Sequence, residues 1–246
     1  MTEFFILKVY RGEPGCQYFE EFELPLREGE NVISALMEIQ KRPYNRYGQK
    51  VTPVVWEQGC LEEVCGSCSV LINGYPRQAC TALISHYVKK DPVVTVAPFT
   101  KFPLVRDLIV DRTRMFENLK RVRAWVEKES REEGFGPLIS QEKQQVMYAL
   151  STCMTCGCCS EGCPQVNKKS AFIGPAPISQ ARFFNMHPVG AIQSSVRNHS
   201  LMEEGGVSEC GNAQNCVEVC PKKIPLTESI AEMGKEVAIQ AVKDFF

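Results

Sequence analysis

The chain has 246 residues, of which 44% are hydrophobic and 23% charged, with a formal net charge of −1. That length suits two modest domains with separate cores, and the charge balance excludes the basic excess that marks a nucleic-acid-binding surface. No apolar stretch approaches the roughly 18–20 residues that cross a bilayer.

The opening MTEFFILKVYRGEPG lacks a basic segment followed by a small-residue cleavage site, so it reads as a strand rather than a signal peptide. A cytosol-facing location is the default expectation. FFILKVYR and YFEEFELPL flank the turn-rich RGEPGCQ and predict a hairpin. NVISALMEIQKR places Val32, Leu36 and Ile39 at helical spacing. TPVVW and PVVTVAP are short strand candidates, and SVLINGYPRQACT carries Asn-Gly between apolar runs, a strong hairpin signal. One helix crossing a small mixed sheet assembles these pieces.

Beyond APFTKFPL the texture changes. Val105, Leu108, Ile109, Phe116, Leu119, Val122 and Val126 recur at approximate helical spacing over residues 104–131. Ser140 is a candidate N-cap for SQEKQQVMYAL. Helical patterns follow in ISQARFFNMH, RNHSLMEE and LTESIAEMGKEVAIQAVKDFF. The expected division is residues 1–105 and 106–246, mixed first and helical second, an α+β chain.

Thirteen cysteines are the compositional anomaly. An odd number in a chain without a signal peptide argues against a disulfide framework and for metal binding or catalysis. Cys60, Cys65, Cys68 and Cys80 form C-x4-C-x2-C-x11-C, whose first part has the plant-type [2Fe–2S] spacing. Gly59 and Gly66 allow three thiolates on one tight loop to converge, and the Asn-Gly hairpin folds Cys80 back toward them. The alternatives are a structural zinc site or buried, unligated thiols. Zinc sites usually pair two C-x2-C units, and only one such pair stands here.

CMTCGCCSEGCP, from Cys153 to Pro164, contains C-x2-C-x2-C-x3-C-P, the bacterial ferredoxin frame. CGNAQNCVEVCP, from Cys210 to Pro221, repeats it with Ala213 in place of the second cysteine. In paired frames the fourth cysteine of each run ligates the other cluster. Cys153, Cys156, Cys159 and Cys220 then supply a [4Fe–4S] centre, and Cys163, Cys210 and Cys216 supply three thiolates. An alanine methyl cannot bind iron, so the simplest third centre is [3Fe–4S]; a [4Fe–4S] centre with water or another side chain on its fourth iron is the alternative. Cys16 and Cys158 are left over. His86, His187 and His199 have no partner at ligand spacing, and Lys120, Arg121 and Arg123 read as a solvated helix face.

This order of motifs, over essentially the whole chain, resembles the iron–sulfur subunit of succinate dehydrogenase and fumarate reductase. The resemblance implies a β-grasp plant-type ferredoxin domain followed by an all-α bacterial-ferredoxin-like domain. It implies an oxidoreductase complex with a flavoprotein subunit carrying FAD and a membrane anchor binding quinone and, in some members, haem b. The chain would sit peripherally on the cytoplasmic face of the membrane and relay electrons without a catalytic residue of its own. Ubiquinone-reducing members carry a Trp shortly after the first Cys-Pro and a His after the first cysteine of the second run. Here QVNKKSAFIGPAP follows Pro164 and Gly211 follows Cys210, which is more similar to menaquinone-linked members. An autonomous multi-cluster ferredoxin, or a subunit of a different flavoenzyme, are the competing readings.

Overall fold

The computed structural model describes residues 4–89, 91–127 and 138–246. They form two units, Met1–Arg112 and Thr113–Phe246.

In the first unit, strands β1 (Phe4–Glu13) and β2 (Cys16–Pro25) make the expected antiparallel hairpin. Strands β3 (Ser69–Ile72) and β4 (Tyr75–Gln78) make the second, turning through Asn73 and Gly74, both at positive φ (48° and 79°) as a type I′ turn demands. Strand β5 (Val93–Ala97) lies between the hairpins, parallel to β1 and antiparallel to β3, giving the order β2-β1-β5-β3-β4. Alternation in β1 buries Phe5, Leu7 and Val9 on one face. Helix α1 (Val32–Lys41) packs Val32, Ile33, Leu36 and Ile39 into the same core. Its start is fixed by a capping box: the Asn31 side chain accepts the Ser34 N–H at 2.9 Å, and the Ser34 hydroxyl accepts the Asn31 N–H at 2.9 Å. A short helix α2 (Ile84–Tyr87) precedes β5. Helix over mixed sheet is the β-grasp arrangement.

Two expectations fail here for one reason. TPVVW is not a strand, and residues 104–110 are not helical but form a small hairpin of β6 (Leu104–Arg106) and β7 (Ile109–Val110). Asp107, in its turn at φ 47°, accepts the N–H of Gly12 at 2.7 Å and of Val55 at 2.8 Å. Arg11, buried beside it, pairs with Asp107 and Glu20 and donates to the Thr52 carbonyl at 2.8 Å. Charged side chains thus take over backbone groups that a sheet ladder would otherwise satisfy. They also hold β6 and β7 in the first unit, so the division falls after Arg112 rather than at 105.

The second unit is helical among its described residues. It contains α3 (Thr113–Arg121), α4 (Gln141–Ser151), α5 (Cys158–Gly162), α6 (Pro175–Met186), α7 (Ser194–Met202), α8 (Asn215–Glu218) and α9 (Leu226–Phe245). Ser140 caps α4 as expected, accepting the Lys143 N–H at 3.3 Å. The helical pattern begun at residue 104 is realised only in α3, and its last part, 128–131, lies outside the described residues. Nor are the basic residues after Glu117 simply a solvated face. Lys120 pairs with Glu117 in solvent, but Arg121 donates to the carbonyls of Ser200 and Glu204. Arg123 turns left-handed (φ 45°), and its carbonyl accepts from Arg197. Among the described residues Arg197, fully buried, binds five acceptors and no carboxylate: the carbonyls of Arg123, Trp125 and Gly190, and the side chains of Asn185 and Gln193.

Candidate iron–sulfur centres

Four of the first unit's five thiols fall into two pairs. Cys60 and Cys65 sit at the ends of a loop whose Leu61 and Glu63 adopt positive φ (63° and 55°). That winding aims three amides inward: the N–H groups of Glu62, Val64 and Cys65 all donate to Cys60 Sγ at 3.3 Å. Cys65 Sγ accepts the Cys60 N–H at 3.4 Å and lies 3.3 Å from the Ser67 hydroxyl. Hydrogen bonds from the Cys60 backbone and from Ser67 lower the Cys65 pKa to about 6. A Cβ on Gly59 would stand 2.9 Å from Cys65 Sγ, so glycine is needed for this approach.

Cys68 and Cys80 are buried under the loop. Burial pushes the Cys68 thiol up to about 12, with Cys80 as its electrostatic neighbour. Gln78, fully buried, contacts Cys68 Sγ at 3.5 Å and donates to the Ser69 hydroxyl at 2.8 Å. The Thr81 hydroxyl donates to Glu63 at 2.9 Å, tying the segment after Cys80 to the exposed loop.

In the second unit the two ferredoxin runs repeat one backbone conformation. Thr155 and Gly157 have φ of 52° and 86°; Asn212 and Gln214, at the same offsets from Cys210, have 50° and 63°. Each run then enters one short helix, α5 or α8, before its last cysteine. Ala213 therefore occupies a ligand-loop position with a methyl where Cys156 has a thiol.

The cysteines of this unit sort around two cavities. One is lined by Cys153, Cys156, Cys159 and Cys220. The other is lined by Cys163, Cys210 and Cys216, with Ala213 in its wall. Each set draws from both runs. Burial raises the Cys159 thiol, reinforced by Cys156, Cys153 and Cys220. Burial likewise raises Cys153 and Cys220. Cys216 rises to about 11 through burial, then through Cys163 and Cys210. Such thiols favour the neutral form alone, and a bound metal must displace their protons. Among the described residues no three His, Cys, Asp or Glu side chains close on one single-ion position. Thiols set around a cavity instead fit a polynuclear cluster, and the lining around Cys163 gives three sulfurs and a methyl.

Cys16 is exposed at the start of β2, and Cys158 is buried at the start of α5 without lining either cavity. His187 Nδ1 accepts from the Val189 and Gly190 amides, and His199 pairs with Asp244 at 2.7 Å in solvent. Sequence reasoning missed Gln78, Thr81 and Arg112 around the first thiol group. Arg112 stands far from the motif in sequence, Gln78 belongs to a hairpin strand and Thr81 directly follows Cys80, and nothing in their composition marks them.

Residues 6–117 match the family described as 2Fe-2S iron-sulfur cluster binding domain, and residues 149–224 the 4Fe-4S dicluster domain. The chain is 54% identical to the succinate dehydrogenase iron-sulfur subunit of Bacillus subtilis, over 93% of this chain and 90% of that protein. It is 33% identical to a fumarate reductase iron-sulfur subunit of Escherichia coli, over 76% and 73%. A chain of the Mycobacterium smegmatis Sdh1 complex in the apo form superposes with a TM-score of 0.80 at 25% identity, covering 98% of both chains. Among the described residues no helix is long and apolar enough to cross a membrane. Fold, cysteine frames and relatives agree: the chain belongs to the family of succinate dehydrogenase and fumarate reductase iron–sulfur subunits.

Proposed function

We propose that the chain relays electrons between the FAD of a flavoprotein subunit and menaquinone at a membrane anchor, using eleven of its thirteen cysteines. The observation that carries this reading is the sorting of the second unit's cysteines into one cavity of four and one of three, each drawn from both runs. Cys153, Cys156, Cys159 and Cys220 would hold the [4Fe–4S] cluster, and Cys163, Cys210 and Cys216 the [3Fe–4S] cluster. In the first unit, the pairs Cys60 with Cys65 and Cys68 with Cys80 would each hold one iron of the [2Fe–2S] cluster.

When bound, these clusters supply one-electron centres whose potentials depend on cluster type, charge, hydrogen bonds to sulfur and exposure. The chain's share is placement and tuning. The three amides on Cys60 Sγ and the Ser67 hydroxyl on Cys65 stabilise negative charge at the exposed pair. Phe172 and Ile230 in one cavity, and Ala176 and Leu226 in the other, give each an apolar side.

Menaquinone is favoured because the Trp and His that mark ubiquinone-reducing members are missing after Pro164 and Cys210. The position after Cys210 is Gly211, and the space a side chain there would enter is taken by Gln165, whose Nε2 stands 2.3 Å from the would-be Cβ. A peripheral seat on the cytoplasmic face of the membrane completes the reading.

The test is the complex purified from membranes. Low-temperature EPR should show a [3Fe–4S] signal after air oxidation and a [2Fe–2S] signal after reduction. Turnover should be faster with menaquinone analogues than with ubiquinone analogues. A chain that purifies alone from the soluble fraction, or a complex without the oxidised [3Fe–4S] signal, would overturn the reading.

A further inference from the structure

Arg112, the last residue of the first unit, lies outside every cysteine motif, yet its guanidinium is built into the loop that carries Cys65 and Cys68. Nη1 donates to the Gly66 carbonyl at 3.2 Å and Nη2 to the Ser67 carbonyl at 2.9 Å. These are the two residues between the cysteines. The Gly66 carbonyl also accepts the Ser69 hydroxyl at 2.7 Å, so it is held from two sides. Glu57 approaches Nη2 at 3.5 Å; the Arg112 side chain is only 15% exposed, whereas that of Glu57 is 43% exposed.

Two physical consequences follow. A planar fork on consecutive carbonyls fixes the peptide planes between Gly66 and Cys68, because each carbonyl shares its plane with the next residue's N–H. The orientation of Cys68 relative to Cys65 is thereby set by a side chain remote in sequence. The guanidinium is also permanently charged and mostly withdrawn from water. A centre that gains one electron becomes more negative, so a fixed cation beside it favours the reduced form. The exposed Glu57 opposes this more weakly, since solvent screens it.

We propose that Arg112 is a positioning and potential-setting residue of the [2Fe–2S] centre, holding the Cys65–Cys68 turn through both Nη atoms and raising the centre's reduction potential by its charge. The proposal rests on the assignment of Cys60, Cys65, Cys68 and Cys80 to that cluster.

EPR-monitored redox titration of the purified membrane complex tests it, using R112M, R112K and E57Q. R112M should lower the reduction equilibrium constant of the [2Fe–2S] centre about tenfold, which is about 59 mV for a one-electron couple. R112K, which keeps the charge and loses the fork, should retain most of the native potential, and E57Q should shift it upward. A native potential in R112M, or equal downward shifts in R112M and R112K, would overturn the role of the charge. Should R112M fail to hold the cluster, E57Q decides: no upward shift overturns the proposal. The underlying assignment fails separately, if the native complex shows no reduced [2Fe–2S] signal.

Discussion

Gly162 and Val219 occupy equivalent positions in the two ferredoxin runs, each directly before the last cysteine, and they touch. A Cβ on Gly162 would stand 2.9 Å and 3.1 Å from the two methyl groups of Val219. The first distance lies below normal carbon contact, and the partner is a short branched side chain directly after α8 while Gly162 ends α5, so relief requires backbone movement. Replacing Gly162 by alanine sets two effects against each other. Gly162 has no positive φ, so alanine gains about 0.5–1 kcal/mol from the unfolded chain and helix propensity. Overpacking costs about 1–3 kcal/mol. The clash therefore wins. Because Cys163 and Cys220 follow the contact directly and line different cavities, the movement should loosen both clusters together. In G162A the temperature of cluster bleaching should fall, and iron and acid-labile sulfide should be lost in parallel from both C-terminal centres. In a V219A background the same change should be neutral or stabilising, a coupling of about 1–3 kcal/mol. Equal destabilisation in both backgrounds would refute the contact as the cause.

Ala213→Cys supplies a thiol in a loop already wound like that of Cys156, and should convert the third centre to [4Fe–4S] with a lower potential; persistence of the full oxidised [3Fe–4S] EPR signal would contradict it. In cluster-free protein, Cys65 (pKa about 6) should be largely thiolate at pH 7 while Cys216 (about 11) stays a thiol. Iodoacetamide should therefore label Cys65 first by mass spectrometry, and its rate should fall as pH drops through about 6. Comparable labelling of Cys216 at pH 7 would count against this. Asp107→Asn removes one partner of buried Arg11 and leaves an amide where two N–H groups need an acceptor. It should destabilise the first unit by about 3 kcal/mol, read as a lowered unfolding temperature, with the EPR of the helical unit's clusters unchanged.

How far the sequence revealed these features follows from the range of the interactions behind them. The two hairpins, α1 and the cap at Ser140 are local, set by alternation, an Asn-Gly turn and a side chain three residues from its partner. The cysteine frames are local as well, and the register that put Ala213 opposite Cys156 reappears in the matching φ values of the two runs. What misled was residues 104–110, where apolar residues at helical spacing coincide with a hairpin. Its cause, Asp107 reaching Gly12 and Val55, spans a long stretch of chain and leaves no periodic trace. The same holds for Arg121 and Arg197, whose acceptors are carbonyls distant in sequence, and for Arg112 on the cysteine loop.

The two units hold their thiols on different terms. Cys68 and Cys80 join a core otherwise made by sheet and α1, and the loop from Cys60 to Cys65 is an exposed appendage to it. Loss of the first cluster should leave that sheet intact. In the helical unit the cysteines are part of the cores themselves, with Cys163 beside Val166 and Phe172, and Cys159 and Cys216 beside Leu150 and Leu226. Emptying the cavities there would leave buried neutral thiols facing one another, beside Phe172 and Ile230 in one and Ala176 and Leu226 in the other. On the proposed assignment, cluster binding would contribute folding free energy to the second unit. Because each run lines both cavities, the proposed assignment predicts that the two clusters insert cooperatively, and stable loading of one without the other would contradict it.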